Sequence, residues 1–115
     1  GAEPPVVTQV YCSALPIAYS GIEPSTWEPF ARLVLESAYE ATLLAAAEQT
    51  QRGVTPTVLL TRLGGGAFGN PDDWIDDAIS RGLAGVVSDG LDVRLVSYGT
   101  IHSGMQRIQA SWGNR

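Results

Sequence analysis

Residues 64–71 read Gly-Gly-Gly-Ala-Phe-Gly-Asn-Pro, the densest concentration of chemical possibility in the chain. Glycines let the backbone take positive φ and bring a ligand within contact distance of the main chain. Successive amide N–H groups in such a turn form a concave nest for anionic oxygens. Phe68, between Ala67 and Gly69, offers an apolar face to a sugar or base. The plain alternative is a flexible strand-to-helix turn with no ligand. Candidate binding residues are therefore Gly64, Gly65, Gly66, Ala67, Phe68, Gly69 and Asn70.

Four aspartates follow at once: Asp72, Asp73, Asp76 and Asp77. On the first turns of a helix they would repel an anion placed on its axis. A bound diphosphate has to rest on the loop amides, with the carboxylates turned away. Their plain role is a solvated face matched to the helix dipole, with Asp77 and Arg81 as an i,i+4 pair. The standard dinucleotide motifs do not fit. A GxxxxGK[ST] loop needs a lysine, and the chain has none. Gly64, Gly66 and Gly69 match G-x-G-x-x-G in form. The acidic partner expected about 20 residues on is Asp89, which falls in a turn before the next strand rather than at a strand's end.

Other reactive types are scattered. Ser13, His102 and an aspartate supply the members of a hydrolytic triad, but no Gly-x-Ser-x-Gly elbow surrounds Ser13 and His102 lies in the tail. Cys12, within an apolar run, reads as a small buried hydrophobe. Trp27, Trp74 and Trp112 read as packing residues. No catalytic residue is assigned. One Cys and one His exclude a disulfide within the chain and leave no donor set for a dedicated metal centre, and no cofactor is expected.

The loop needs elements to position it. Val6–Leu15, rich in β-branched and aromatic residues and stopped by Pro16, predicts a strand covered on both faces. A turn-rich connection over 16–25 leads to a long helix from Thr26 or Glu28 to Arg52. Ser25 with Glu28 has capping-box spacing, while Pro29 fits a first helical position. Phe30, Leu33, Val34, Ala41 and Leu44 recur at helical spacing, and Leu35, Tyr39, Leu43 and Ala46 widen that face. Gly53 is the expected cap. Thr57–Leu63 predicts a central strand buried on both faces. A second helix begins with Asn70 as N-cap and Pro71 as its first residue, and carries Trp74, Ile75, Ala78, Ile79 and Leu83 inward. Leu91–Tyr98 alternates as an edge strand, and a short helical turn is expected over Met105–Ala110. The order β-α-β-α-β predicts an α/β fold with a mostly parallel sheet and right-handed crossovers.

Composition narrows the function. The chain has 115 residues, 44% of them hydrophobic, and a net charge of −5 with no basic run. That balance excludes a general nucleic-acid binder, an anionic-membrane binder and a disordered chain. No apolar run approaches the ~20 residues of a membrane span. The opening Gly-Ala-Glu-Pro-Pro has neither an initiator Met nor signal-peptide character, and reads as a cut end or tag remnant. A cytoplasmic origin is expected.

The run TVLLTRLGGGAFGNPDDWIDDAISRGL, with LDVRLVSYG after it, resembles the carboxyl-terminal half of a macrodomain. Gly64–Pro71 matches that family's small-small-Gly-x-Phe-Gly-x-Pro loop position by position. Val6–Leu15 and the Leu35–Leu44 helix extend the resemblance over about residues 6–99, after a lead-in at 1–5 and before a tail at 100–115. The resemblance implies a three-layer α/β/α fold and recognition of ADP-ribose or a related NAD-derived nucleotide. Residues 64–70 would wrap the diphosphate and distal ribose, and Tyr98 would meet the adenine-side ribose or base. The family's amino-terminal half, with its adenine-reading acidic residue and first glycine loop, has no counterpart here. In hydrolase members that first loop helps orient the catalytic water. The expected partners are thus the nucleotide and either a complementary amino-terminal half or further copies of the chain. The alternative expectation is a structural subunit that completes its sheet by oligomerisation.

Overall fold

In the computed structural model, residues 4, 6–97, 99 and 101–113 are described. They form a mixed α/β unit of three helices and a two-stranded parallel sheet. A 3₁₀ turn at Ile17–Tyr19 leads into α1 (Pro24–Gln51). After it come β1 (Thr57–Leu60), α2 (Asp72–Ala84), β2 (Asp92–Leu95) and α3 (Ser103–Gly113). No helix of the described residues is long and apolar enough to cross a membrane.

Helix α1 starts earlier than either capping pattern predicts, with Glu23 as N-cap and Pro24 in the first turn. The fixed φ of Pro24 suits that position and its missing N–H costs nothing there. The far end closes as expected around Gly53. Arg52 is the C-cap and Gly53 has φ +74°. Gly53 N–H donates to Thr50 O and Val54 N–H to Gln49 O, both at 3.0 Å, which is a Schellman motif.

The faces of α1 match the expected arrangement only in part, with Leu35, Tyr39 and Leu43 buried as expected. Its buried stripe is Ala31, Leu35, Ala38, Tyr39, Leu43 and Ala47, while Phe30, Leu33 and Leu44 are exposed. Both stripes have helical spacing, and only the partner elements decide between them. Those partners are Trp74, Ile75, Ala78, Ile79 and Leu83 of α2, which face the core as predicted. Tyr39 joins α1 to the end of β1. Its hydroxyl donates to Thr61 O at 2.6 Å and accepts from Leu63 N–H at 2.8 Å. Burial raises the phenol's pKa, and the Leu63 amide opposes that shift.

The strands pair in register from Thr57 with Asp92 to Leu60 with Leu95. Strand β1 ends at Leu60, short of the predicted Leu63, because the chain turns into the loop. It is also not buried on both faces, since Leu59 is 62% exposed. Strand β2 alternates as expected, with Val93 buried between exposed Asp92 and Arg94. Helix α3, longer than the predicted turn, closes its outer edge. The Gln109 side chain donates to Val93 O at 3.0 Å and accepts from Leu95 N–H at 3.3 Å.

The predicted first strand is absent. Residues 6–13 are exposed and without regular structure, and they join no sheet. Val10, Tyr11 and Cys12 instead stand across an open cleft of about 180 Å³ from Leu59, Leu60 and Thr61. Cys12, expected to be buried, is exposed. High β propensity did not suffice without a hydrogen-bonded neighbour.

Candidate functional site: the glycine loop and its 3₁₀ wall

The glycine loop leaves β1 at its carboxyl end, where ligands bind in parallel α/β folds. Its first and last glycines are set by the fold. Gly64 has φ +74°, and a Cβ there would lie 2.4 Å from Ala14 Cβ. Gly69 has φ +71°, and its Cβ would lie 2.8 Å from Ala18 Cβ. Both therefore need glycine for backbone conformation and for the close passage of residues 14–18. Gly65 N–H donates back to Arg62 O at 3.3 Å, Gly69 N–H to Gly66 O at 3.0 Å and Asn70 N–H to Gly64 O at 2.9 Å. The turn is thereby closed on itself.

Gly66 is different. Its φ is not positive, and a Cβ there would meet nothing within 4 Å. Neither strain nor packing requires a glycine at this point. The N–H groups of Gly66, Ala67 and Phe68 make no hydrogen bond among the described residues. Gly66 and Ala67 are exposed and Phe68 is half-buried. Three consecutive donors thus have no internal partner on a braced turn, and unpaired amides of this kind are available to anionic oxygens.

Asn70 does not cap α2; Pro71 takes that position, with φ −58° and ψ 147°. Its side chain is instead a buried clip, only 3% exposed as a residue. Nδ2 donates to Leu15 O at 2.8 Å and to Gly64 O at 3.1 Å, while Oδ1 is buried with no partner. Ala18 N–H adds a bond to Phe68 O at 2.8 Å. The segment 14–19 therefore forms a wall beside the loop. Sequence reasoning missed Tyr19 on that wall, whose ring meets Phe68 edge-on with centroids 6.4 Å apart. The available signal was an aromatic residue inside the turn-rich connection 16–25.

The four aspartates of α2 are all engaged rather than simply solvated. Arg62, at the end of β1, pairs with Asp76 and, at 3.1 Å, with Asp72. His102 Nε2 lies 2.9 Å from Asp72 Oδ2, and this contact, more than Arg62, lowers the Asp72 pKa. Arg32 reaches Asp77 at 2.9 Å and Asp73 at 3.3 Å, with its guanidinium 5.9 Å above the Trp74 ring. Arg81 pairs with Glu36 in place of the expected Asp77. Each carboxylate thus has a cationic partner outside its own helix, while Asp72, Asp73 and Asp77 stay exposed.

The structure brings Gly64–Asn70 together, while Tyr98 lies outside the described residues. Ser13 and His102 do not meet: Ser13 Oγ donates to Ala14 O and His102 is held by Asp72. No group of three or more His, Cys, Asp or Glu side chains among the described residues could hold a metal ion. Two clefts lie elsewhere, one between residues 10–12 and β1 and the other between α1 and α2. The loop is an open platform. No family model, curated protein or solved structure matches this chain.

Proposed function

We propose that this chain binds ADP-ribose or a related NAD-derived nucleotide, in the manner of a macrodomain-like module, with its diphosphate on the loop 64–70. The observation that carries the reading is the row of unpartnered Gly66, Ala67 and Phe68 amides beside a glycine the fold does not need. A side chain at 66 would stand where a ligand approaches the backbone, which is a reason to exclude one. The ion pairs of Asp72, Asp73, Asp76 and Asp77 support it further, because they lessen the repulsion an anion would meet. The loop sequence itself supplies the resemblance. A sheet completed on both sides by helices belongs to this proposal too, with further strands supplied by another chain or segment.

Titration calorimetry with ADP-ribose tests the reading. Gly66→Val leaves folding intact, because the added atoms enter open space, and it abolishes binding by covering the amides. Unchanged affinity in that variant removes the loop from the binding site.

A second reading rests on other residues: a structural subunit that associates with its own kind. It is favoured by the outward edge of β1 at Leu59 and by the exposed stripe Phe30, Leu33 and Leu44 on α1.

A further inference from the structure

The loop presents amides but no cation. Arg62, the guanidinium nearest in sequence, is committed to Asp72 and Asp76. An anion alone would gain only neutral hydrogen bonds on an open surface, where water competes. A ligand held here needs an apolar or π contact as well.

The wall beside the loop supplies one. Tyr19 is 70% exposed, yet its position is fixed by several contacts. Its ring stands at 89° to Phe68, and its N–H donates to Pro16 O at 3.0 Å. The preceding residue, Ala18, is bonded to Phe68 O. The following one, Ser20, accepts from Trp27 Nε1–H at 2.9 Å and donates to Ile17 O at 2.9 Å. The aromatic pair therefore holds its place relative to the amides of 66–68 before any ligand arrives. Such preorganisation lowers the ordering cost of binding.

We propose that Tyr19 is the base-reading residue of this site, stacking the planar heterocycle of a nucleotide whose diphosphate lies on the Gly66–Phe68 amides. The inference rests on the nucleotide-binding reading and adds to it a residue, a contact and a selectivity. It makes the site a receptor for nucleoside diphosphate derivatives over inorganic anions and base-free sugar phosphates.

The experiment compares wild type, Tyr19→Ala, Tyr19→Phe and Gly66→Val by calorimetry against ADP-ribose, ribose 5-phosphate and inorganic pyrophosphate. Tyr19→Ala weakens ADP-ribose roughly tenfold or more, the loss of one base–aromatic stack, and leaves the two base-free ligands unchanged. Tyr19→Phe keeps the wild-type affinity, because the ring and not the hydroxyl makes the contact. Full ADP-ribose affinity in Tyr19→Ala, with binding still lost in Gly66→Val, overturns the role of Tyr19 and leaves the loop reading standing. Equal weakening of all three ligands in Tyr19→Ala also overturns it, since the residue would then only brace the loop. Absence of ADP-ribose binding in the wild type removes both readings together. Because Tyr19 is mostly exposed, circular dichroism and thermal melting of the alanine variant match wild type.

Discussion

Gly64 and Gly66 are chemically identical and two positions apart, but a methyl group would have opposite consequences at the two. At 64 it meets Ala14 Cβ and the Asn70 side chain in a left-handed conformation. At 66 it meets nothing. Gly64→Ala is expected to cost about 2 kcal/mol or more from the left-handed penalty and the clash together. Gly66→Ala stays within about 0.5 kcal/mol of wild type. Urea unfolding of the two variants checks the pair, and equal losses would show that the turn is not braced as described. The loop was legible in the sequence because glycine, phenylalanine, asparagine and proline mark turns and ligand approaches by type alone. The division of labour among its glycines was not legible, since it depends on the passage of Ala14 and Ala18 some 50 positions away. Tyr19 was hidden for the same reason. Asn70 was misjudged as a cap because a proline after it can itself occupy the cap position and free the amide to reach Leu15.

At the level of elements, ion pairs border the apolar seam where the helices meet. Arg32 of α1 and Arg62 beyond β1 share four carboxylates along one side of α2, and His102, next to α3, shares one of them. Arginine stays charged throughout the accessible pH range, so the arginine contacts fail on the acid side only. The folded pKa of Asp72 lies below its ordinary value, chiefly through the hydrogen bond from His102. Its pairs therefore contribute fully above about pH 4 and are lost as pH falls through the lower folded value. Asp72 is mostly exposed, so solvent screening keeps the effect within about 1 kcal/mol. Between pH 5 and 3 the urea midpoint of wild type is expected to fall more than that of Asp72→Asn, the two converging in acid. Parallel curves would exclude the linkage. The long helix, its Gly53 terminus and the inward face of α2 were legible from spacing. On α1 the spacing marked Leu35, Tyr39 and Leu43, which are buried, but not that Phe30, Leu33 and Leu44 stay outside, because the two apolar stripes look alike until α2 is laid against one of them.

At the scale of the whole molecule, the radius of gyration is 15.1 Å, against about 13 Å for a compact chain of this length. Residues 6–13 join no sheet, and residues 10–12 flank β1 across an open cleft. A parallel α/β class could be read from the alternation of elements, but the number of strands could not, because a strand exists only through its neighbour. If the chain associates through its sheet, Leu59→Arg is expected to shift a concentration-dependent sedimentation coefficient toward the monomer. A wild type that sediments as a monomer at every concentration removes the subunit reading.

The Gln109 clasp gives that association a direction. By imitating a strand's main chain at Val93 and Leu95, it seals one margin of the sheet and, among the described residues, leaves the margin at Leu59 for addition. Two copies joined there would lie about a two-fold axis and use up each other's free margin. Addition through the main chain would then stop at four strands.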